Sequence, residues 1–286
     1  SPAAQRVQMS RRGLDMLRWL HGFTILVVSL ALERDDYKGG WNDNHDSWLT
    51  TQRCNIRKIH QKSVMSADEF RKYFEDEPVI IVGAPAVLNV KTRNLCQKSE
   101  LLKMYGDLNV TLSSANTFSH ARRIVKFSDY VDQYLNQHTL DQVANETWYL
   151  FGDNNHSEWK EIFQSYIEQD FFYDHERLNG RESSLSFGIG GSGSGVPFHV
   201  HGPGFSEVLW GRKRWFLMPK GVQPDFDPDE TTLVWLRTRY NSMLQAEGGH
   251  DLLECTIEPG ELLYFPDNWF HATLNIGQSV FMSTFV

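Results

Sequence analysis

The chain has 286 residues, 41% hydrophobic and 13% aromatic, with a formal net charge of -8 at pH 7. That is enough apolar material for a sizeable core in one large or two small domains, and it excludes a disordered chain. The acidic balance also argues against binding to phosphate backbones, which needs clustered Lys and Arg, so no nucleic-acid partner is expected.

Arg11, Arg12 and Arg18 precede an apolar run over residues 19–32 that closes at Glu33, Arg34, Asp35 and Asp36. The run is short for a stable membrane span. With Ser29-Leu30-Ala31 as a small-x-small cleavage site, residues 1–31 read as a secretory signal peptide, with the residues ahead of Met9 read as non-native upstream sequence; an uncleaved anchor or a buried helix are the alternatives. The expected location is the endoplasmic reticulum lumen, with secretion as the alternative, and the expected partner is a lumenal or secretory protein. Sequons at Asn109, Asn145 and Asn155 would accept glycans there. Cys54, Cys96 and Cys255 allow at most one internal disulfide, for which Cys54 with Cys96 is the expected pair, leaving Cys255 as a buried core thiol.

Residues 32–60 are polar and irregular. Ser66 followed by Glu69 reads as a capping box opening a helix whose apolar face carries Phe70, Tyr73 and Phe74. Residues 78–83 read as a buried strand, and helical patterns follow over 128–136, with Ser128 as N-cap, and 158–168. From residue 185 the chain turns to short β-rich segments separated by Gly and Pro, interrupted by one helix over 231–240 that should pack across the outside. The pattern predicts a barrel or sandwich after a mixed helical and strand region. Nothing indicates the oligomeric state.

Gly188, Gly190 and Gly193 match G-x-G-x-x-G, but Pro197 and a strand-like stretch follow where a dinucleotide site needs a helix. The glycines are therefore expected to allow close backbone approach beside a pocket. His199 and His201 are two apart, so on a strand both imidazoles project to one face and can converge on one ion. A third histidine, His271, follows Gly260 and Pro266 seventy residues later. Together they predict a metal pocket.

The stretch from Gly193 to Asn275 resembles the cupin superfamily and, within it, the jumonji-C oxygenases. The residues that carry the likeness are Gly260, Pro266, His271 and Asn275, with Asn268 where Gly is usual, and the hairpin from Gly211 to Pro219. Residues 74–83 resemble the segment that enters such domains. The resemblance implies a mostly β fold with flanking helices (α+β), a double-stranded β-helix or jelly roll, with one domain over 61–286 and its barrel core at about 185–286. It implies an Fe(II) site with 2-oxoglutarate as cosubstrate, and an activity on polypeptides that is at best hydroxylase-like.

His201 stands where the family has Asp or Glu. Three neutral imidazoles suit zinc or copper as well as iron, which leaves a catalytically inactive, protein-binding domain as the alternative. Lys213 matches the position that reaches the far carboxylate of 2-oxoglutarate. Thr273 and Asn275 share a strand face with His271 and would line the same pocket, as would Ser206. Glu207 is a rival fourth ligand on the general cupin pattern. The jumonji-C alignment instead points Ser206, Val208 and Trp210 inward and Glu207 outward.

Overall fold

The structure, a computed structural model, describes residues 38–286 apart from 64–65, 116–121, 137, 153–155, 169–182 and 247–250. The expected signal peptide and the Asn155 sequon therefore lie outside the described residues. The strands are β1 (Arg57–His60), β2 (Val79–Val82), β3 (Asn109–Ser114), β4 (Arg122–Lys126), β5 (Trp148–Tyr149), β6 (Ser184–Gly190), β7 (Gly204–Met218), β8 (Leu253–Ile257), β9 (Glu261–Phe265) and β10 (Phe270–Phe285). The main sheet runs β1-β2-β9-β7-β10-β6, with β8 on β7; β1 and β2 are parallel and its other pairs antiparallel. A small sheet, β4-β3-β5, stands beside it. The architecture is a jelly-roll sandwich with flanking helices.

The long β7–β10 ladder belongs to both layers. The first part of β7 pairs with β9 and its second part with β8, while β10 follows it throughout. The ribbon turns at Gly211 and Gly277, both at positive φ, and a Cβ on Gly211 would stand 2.2 Å from the Gln278 carbonyl oxygen. Only glycine meets both demands there. Alternation then sends Val208, Trp215 and Leu217 into the interior with Ile80, Leu263 and Phe265. On the outer face, Phe216, Ala272 and Leu274 receive Leu233, Trp235 and Leu236 of the helix Thr232–Thr238. Each large side chain buried this way contributes roughly 1.5–3 kcal/mol. Thr231 caps that helix, its hydroxyl accepting from Val234 N at 3.1 Å.

Several expectations hold and several change. Ser66 caps the helix Ala67–Phe74 by accepting from Glu69 N, and residues 79–82 form the buried strand. The expected helix over 128–136 is instead a short turn, Phe127–Asp129, continuing into a π-helical Tyr130–Tyr134, and the N-cap is Lys126. The helix expected over 158–168 shortens to Lys160–Ser165. Part of the irregular N-terminal stretch becomes β1.

The disulfide is Cys54–Cys255, and Cys96 is the free, buried thiol. The reason is the path of the N-terminal strap. Asn55 donates to the Glu254 carbonyl and its side chain bonds Leu252 O and Glu254 N, which lays Cys54 beside β8. Arg214 and Glu254, both buried, pair at 2.7 Å, and Arg214 also donates to Leu49 O while Arg53 reaches Glu254 at 3.1 Å. The strap is thus held by a bridge and by a buried charge network whose hydrogen-bonding capacity is well used.

Candidate metal centre

The three histidines converge. One ring nitrogen from each lies within 4.8 Å of the others, and Nε2 of His271 and His201 are 3.1 Å apart. His199 and His271 are fixed by a β-bridge with backbone bonds of 3.1 and 2.9 Å in the two directions. His201 follows in an extended segment whose carbonyl accepts from Asn268 N at 3.0 Å. Asn268 has φ 58, the only positive value at a non-glycine among the described residues. That explains why glycine is usual at this place and why Asn, which tolerates the left-handed region, can replace it.

Each Nδ1 faces a backbone carbonyl: His199 to Pro197 O at 2.9 Å, His201 to Gly202 O at 2.7 Å and His271 to Trp269 O at 2.9 Å. A carbonyl can only accept, so Nδ1 carries the proton in all three rings and Nε2 keeps its lone pair. Burial pushes the His199 imidazole down to about 4 and lowers His271 well below the usual range, with the neighbouring histidines adding to the effect; burial lowers His201 too. All three are neutral at neutral pH, the form that binds metal. Two lone pairs facing each other at 3.1 Å repel unless a cation lies between them. At metal–nitrogen distances of about 2.1 Å, neighbouring ligands sit roughly 3.0 Å apart in an octahedron and roughly 3.4 Å apart in a tetrahedron. The donor set fits a divalent ion in either geometry.

Aromatic rings surround the triad. Phe265 stacks on His271 with centroids 4.7 Å apart, and Phe265 and Phe285 meet His201 edge-on. Along the same inward face, β7 and β10 pair Leu217 with His271, Trp215 with Thr273 and Lys213 with Asn275. Lys213, Thr273, Asn275 and Ser206 are all buried, as expected. Thr273 Oγ1 accepts from Val196 N, and Asn275 Nδ2 donates to Ser194 Oγ at 2.9 Å, leaving its Oδ1 without a partner. Ser206 and Ser283 hydroxyls bond each other across the other half of the ladder, at 3.2 Å.

Lys213 carries the distinctive electrostatics. Its Nζ lies 3.2 Å from the centre of the Phe281 ring, with Phe151 and Trp215 nearby, and no carboxylate pairs with it among the described residues. Burial lowers its pKa well below the lysine range. Packed with Phe281 and Phe151, the Tyr149 hydroxyl is buried without a hydrogen-bond partner, as is Trp215 Nε1. Sequence reasoning missed Tyr149, and nothing in the run around it marks a polar role.

Glu207 is not a ligand. It is fully buried on the opposite face of β7, where Asn89 Nδ2 donates to its Oε2 at 2.7 Å, while its Oε1 has no partner. Trp210 departs from expectation. Phe281 pairs with Val208 but Val280 with Trp210, so Leu209 is an extra residue, and this bulge turns Trp210 outward onto the helical layer. Gly190 and Gly191 serve close approach: a Cβ would stand 2.1 Å from Asn275 Nδ2 at the first and 1.5 Å from Leu135 O at the second. No helix follows them, so the dinucleotide pattern is incidental.

The cupin-like domain family matches residues 66–283. The chain belongs to this family, in its JmjC branch. It is 43% identical over 282 residues to JmjC domain-containing protein 8 of Mus musculus, covering 96% of this chain and 98% of that one. It is 41% identical over 270 residues to JmjC domain-containing protein 8 of Homo sapiens, with 94% and 98% covered. A more distant JmjC relative is the bifunctional arginine demethylase and lysyl-hydroxylase psr-1 of Caenorhabditis briggsae, 27% identical over 252 residues, with 79% of this chain and 60% of that one covered.

Proposed function

We propose that the JmjC pocket holds one divalent metal, iron in the first instance, through Nε2 of His199, His201 and His271. Lys213 would take the far carboxylate of 2-oxoglutarate, and the reaction would be a hydroxylase-like oxygenation of a polypeptide in the secretory lumen. The observation that carries this reading is a buried lysine without a carboxylate partner beside three neutral imidazoles. Such a box gains from an incoming anion, because a carboxylate favours the protonated lysine that burial alone disfavours, and the two then form a charge-assisted bond.

When bound, the metal supplies Lewis acidity and the positions at which oxygen is activated. The protein's own part is to hold and to exclude. The backbone carbonyls fix the imidazole tautomers, Lys213 orients the cosubstrate, and Phe265, Phe285 and Trp215 keep water out. The distant relatives named as demethylases and a lysyl-hydroxylase favour a side chain of a protein as the substrate class. A lumenal location draws support from the Cys54–Cys255 bridge, since such bonds persist in oxidising compartments, and from the exposure of the sequon asparagines Asn109 and Asn145.

A second reading has its own observation. With His201 in place of a carboxylate, the ion keeps its full double charge, which favours a domain that holds metal without turnover and serves as a protein-binding factor. Metal analysis combined with succinate release from 2-oxoglutarate separates the two. One ion per chain with iron-dependent succinate supports the oxygenase. Succinate from His201→Asp alone selects the inactive reading, and a chain that retains no metal refutes both. Protease protection and glycosidase sensitivity in microsomes test the compartment.

A further inference from the structure

The outer side of the ribbon turn carries a cavity of about 560 Å³ that the metal pocket does not use. It lies where Arg212 pairs with Ile276, five residue pairs along the ladder from Leu217 and His271. At strand rise this is roughly 17 Å from the triad. Its walls include Lys38 and Asp43 on the strap, Arg93 on the helix Val90–Leu95, Trp210 and Arg212 on β7, Glu258 after β8 and Gln278 on β10.

Charge is unbalanced there. Lys38 and Arg212 share one carboxylate, that of Asp43, at 3.4 and 2.9 Å. Arg93 donates Nη2 to the Ala86 carbonyl and forms no ion pair among the described residues. Glu258 stands exposed at the rim. Three cations thus face two carboxylates in a chain whose total charge is -8. Such a local reversal of sign attracts anions.

Of the remaining lining, Gln278 is bonded to Asn42 N and Asn136, Asn42 Oδ1 accepts from Asn44 N, and the two tryptophans supply apolar surface. Trp210 spends its indole N–H on Arg93 O at 2.7 Å, and Trp41 spends its own on Cys96 O at 2.9 Å, so each offers the cavity only ring surface. Val90, 44% exposed, is not in the lining itself but sits one turn before Arg93 on the same helix face, so it flanks the cavity on that side. A small inorganic anion would satisfy the arginine but leave this surface wet. A volume in the range of ligand sites calls for a larger occupant.

The geometry points to a docking groove for an acidic segment of a partner polypeptide, with a carboxylate on Arg93 and a neighbouring aliphatic or aromatic side chain against Trp210, the segment leaving the cavity past Val90. The groove is independent of the metal reading. The test pans the full-length folded protein against a displayed library of random octapeptides, then measures the enriched peptides by fluorescence anisotropy. Enrichment of Asp or Glu next to large apolar residues is expected, with a loss of about tenfold or more when the peptide carboxylate becomes an amide. Arg93→Glu should abolish binding. Val90→Asp, at an exposed site that does not threaten the fold, should weaken it similarly, and His271→Ala should leave it unchanged. No enrichment, enrichment without carboxylates, or binding that survives Val90→Asp in the folded protein overturns the proposal.

Discussion

Glu207→Gln isolates the cost of a buried acid. The carboxyl is buried between β7 and Asn89, which donates to one oxygen while the other has no partner. Burial pushes Glu207 up to about 8 from an ordinary 4.5, against smaller opposing pulls from Asn89, Tyr166 and Arg93. Between those values the folded chain holds a proton that the unfolded chain has released, so stability falls as pH rises through the window. For one such group, moving from about pH 5 to about pH 7.5 removes roughly 3 kcal/mol. The amide cannot ionise and keeps the Asn89 contact. Urea unfolding followed by tryptophan fluorescence, on metal-free protein with the disulfide intact, should therefore give similar stabilities for both chains near the acid end and a more stable variant near neutrality. The buried histidines contribute the opposite slope, but equally in both chains, so the difference reports Glu207 alone. Parallel pH curves for the two chains would refute the reasoning.

Lys213→Met should stabilise the ligand-free protein by roughly 1–3 kcal/mol, because it replaces a buried polar head group that has no carboxylate partner with an apolar chain, while removing any thermal protection by 2-oxoglutarate; a destabilised variant would mean the lysine has a partner. Cys54→Ser opens a bridge that spans 201 residues of sequence, and thermal or urea unfolding should show a loss of roughly 2–5 kcal/mol. An unchanged midpoint would contradict the strap's role. His271→Ala should reduce bound metal from one ion to none by elemental analysis. In the intact protein, metal release on acidification should have its midpoint below the usual histidine range, since protons compete for His199 only near 4; release already half complete at about 6.5 would sink that expectation.

The His199–His201 half of the metal centre was legible because its signal is local, whereas His271 had to be recognised by the Gly260 and Pro266 that precede it. A His-x-His pair on extended chain shares a face, and the same period places Thr273 and Asn275 beside His271 whatever the rest of the chain does. The unread parts depend on neighbours that spacing does not encode. Cys54 pairs with Cys255 because Asn55 lays the strap along β8, and no interval between cysteines announces that contact. Trp210 faces out because one extra residue in β7 reverses the alternation, and the bulge has no mark in a stretch of uniformly large side chains. Tyr149 lies on a two-residue strand too short to show any period.

The three rings are not held alike. His199 and His271 sit on opposite sides of one bridge, each backbone bonded to the other, whereas His201 leans on the carbonyl of the glycine beside it and is anchored by a single bond from the Asn268 turn. Two ligands are therefore part of a girder and the third is a hinged arm at the mouth. An ion entering or leaving should pass on the His201 side, and stiffening that turn should slow its exchange without altering how tightly it rests.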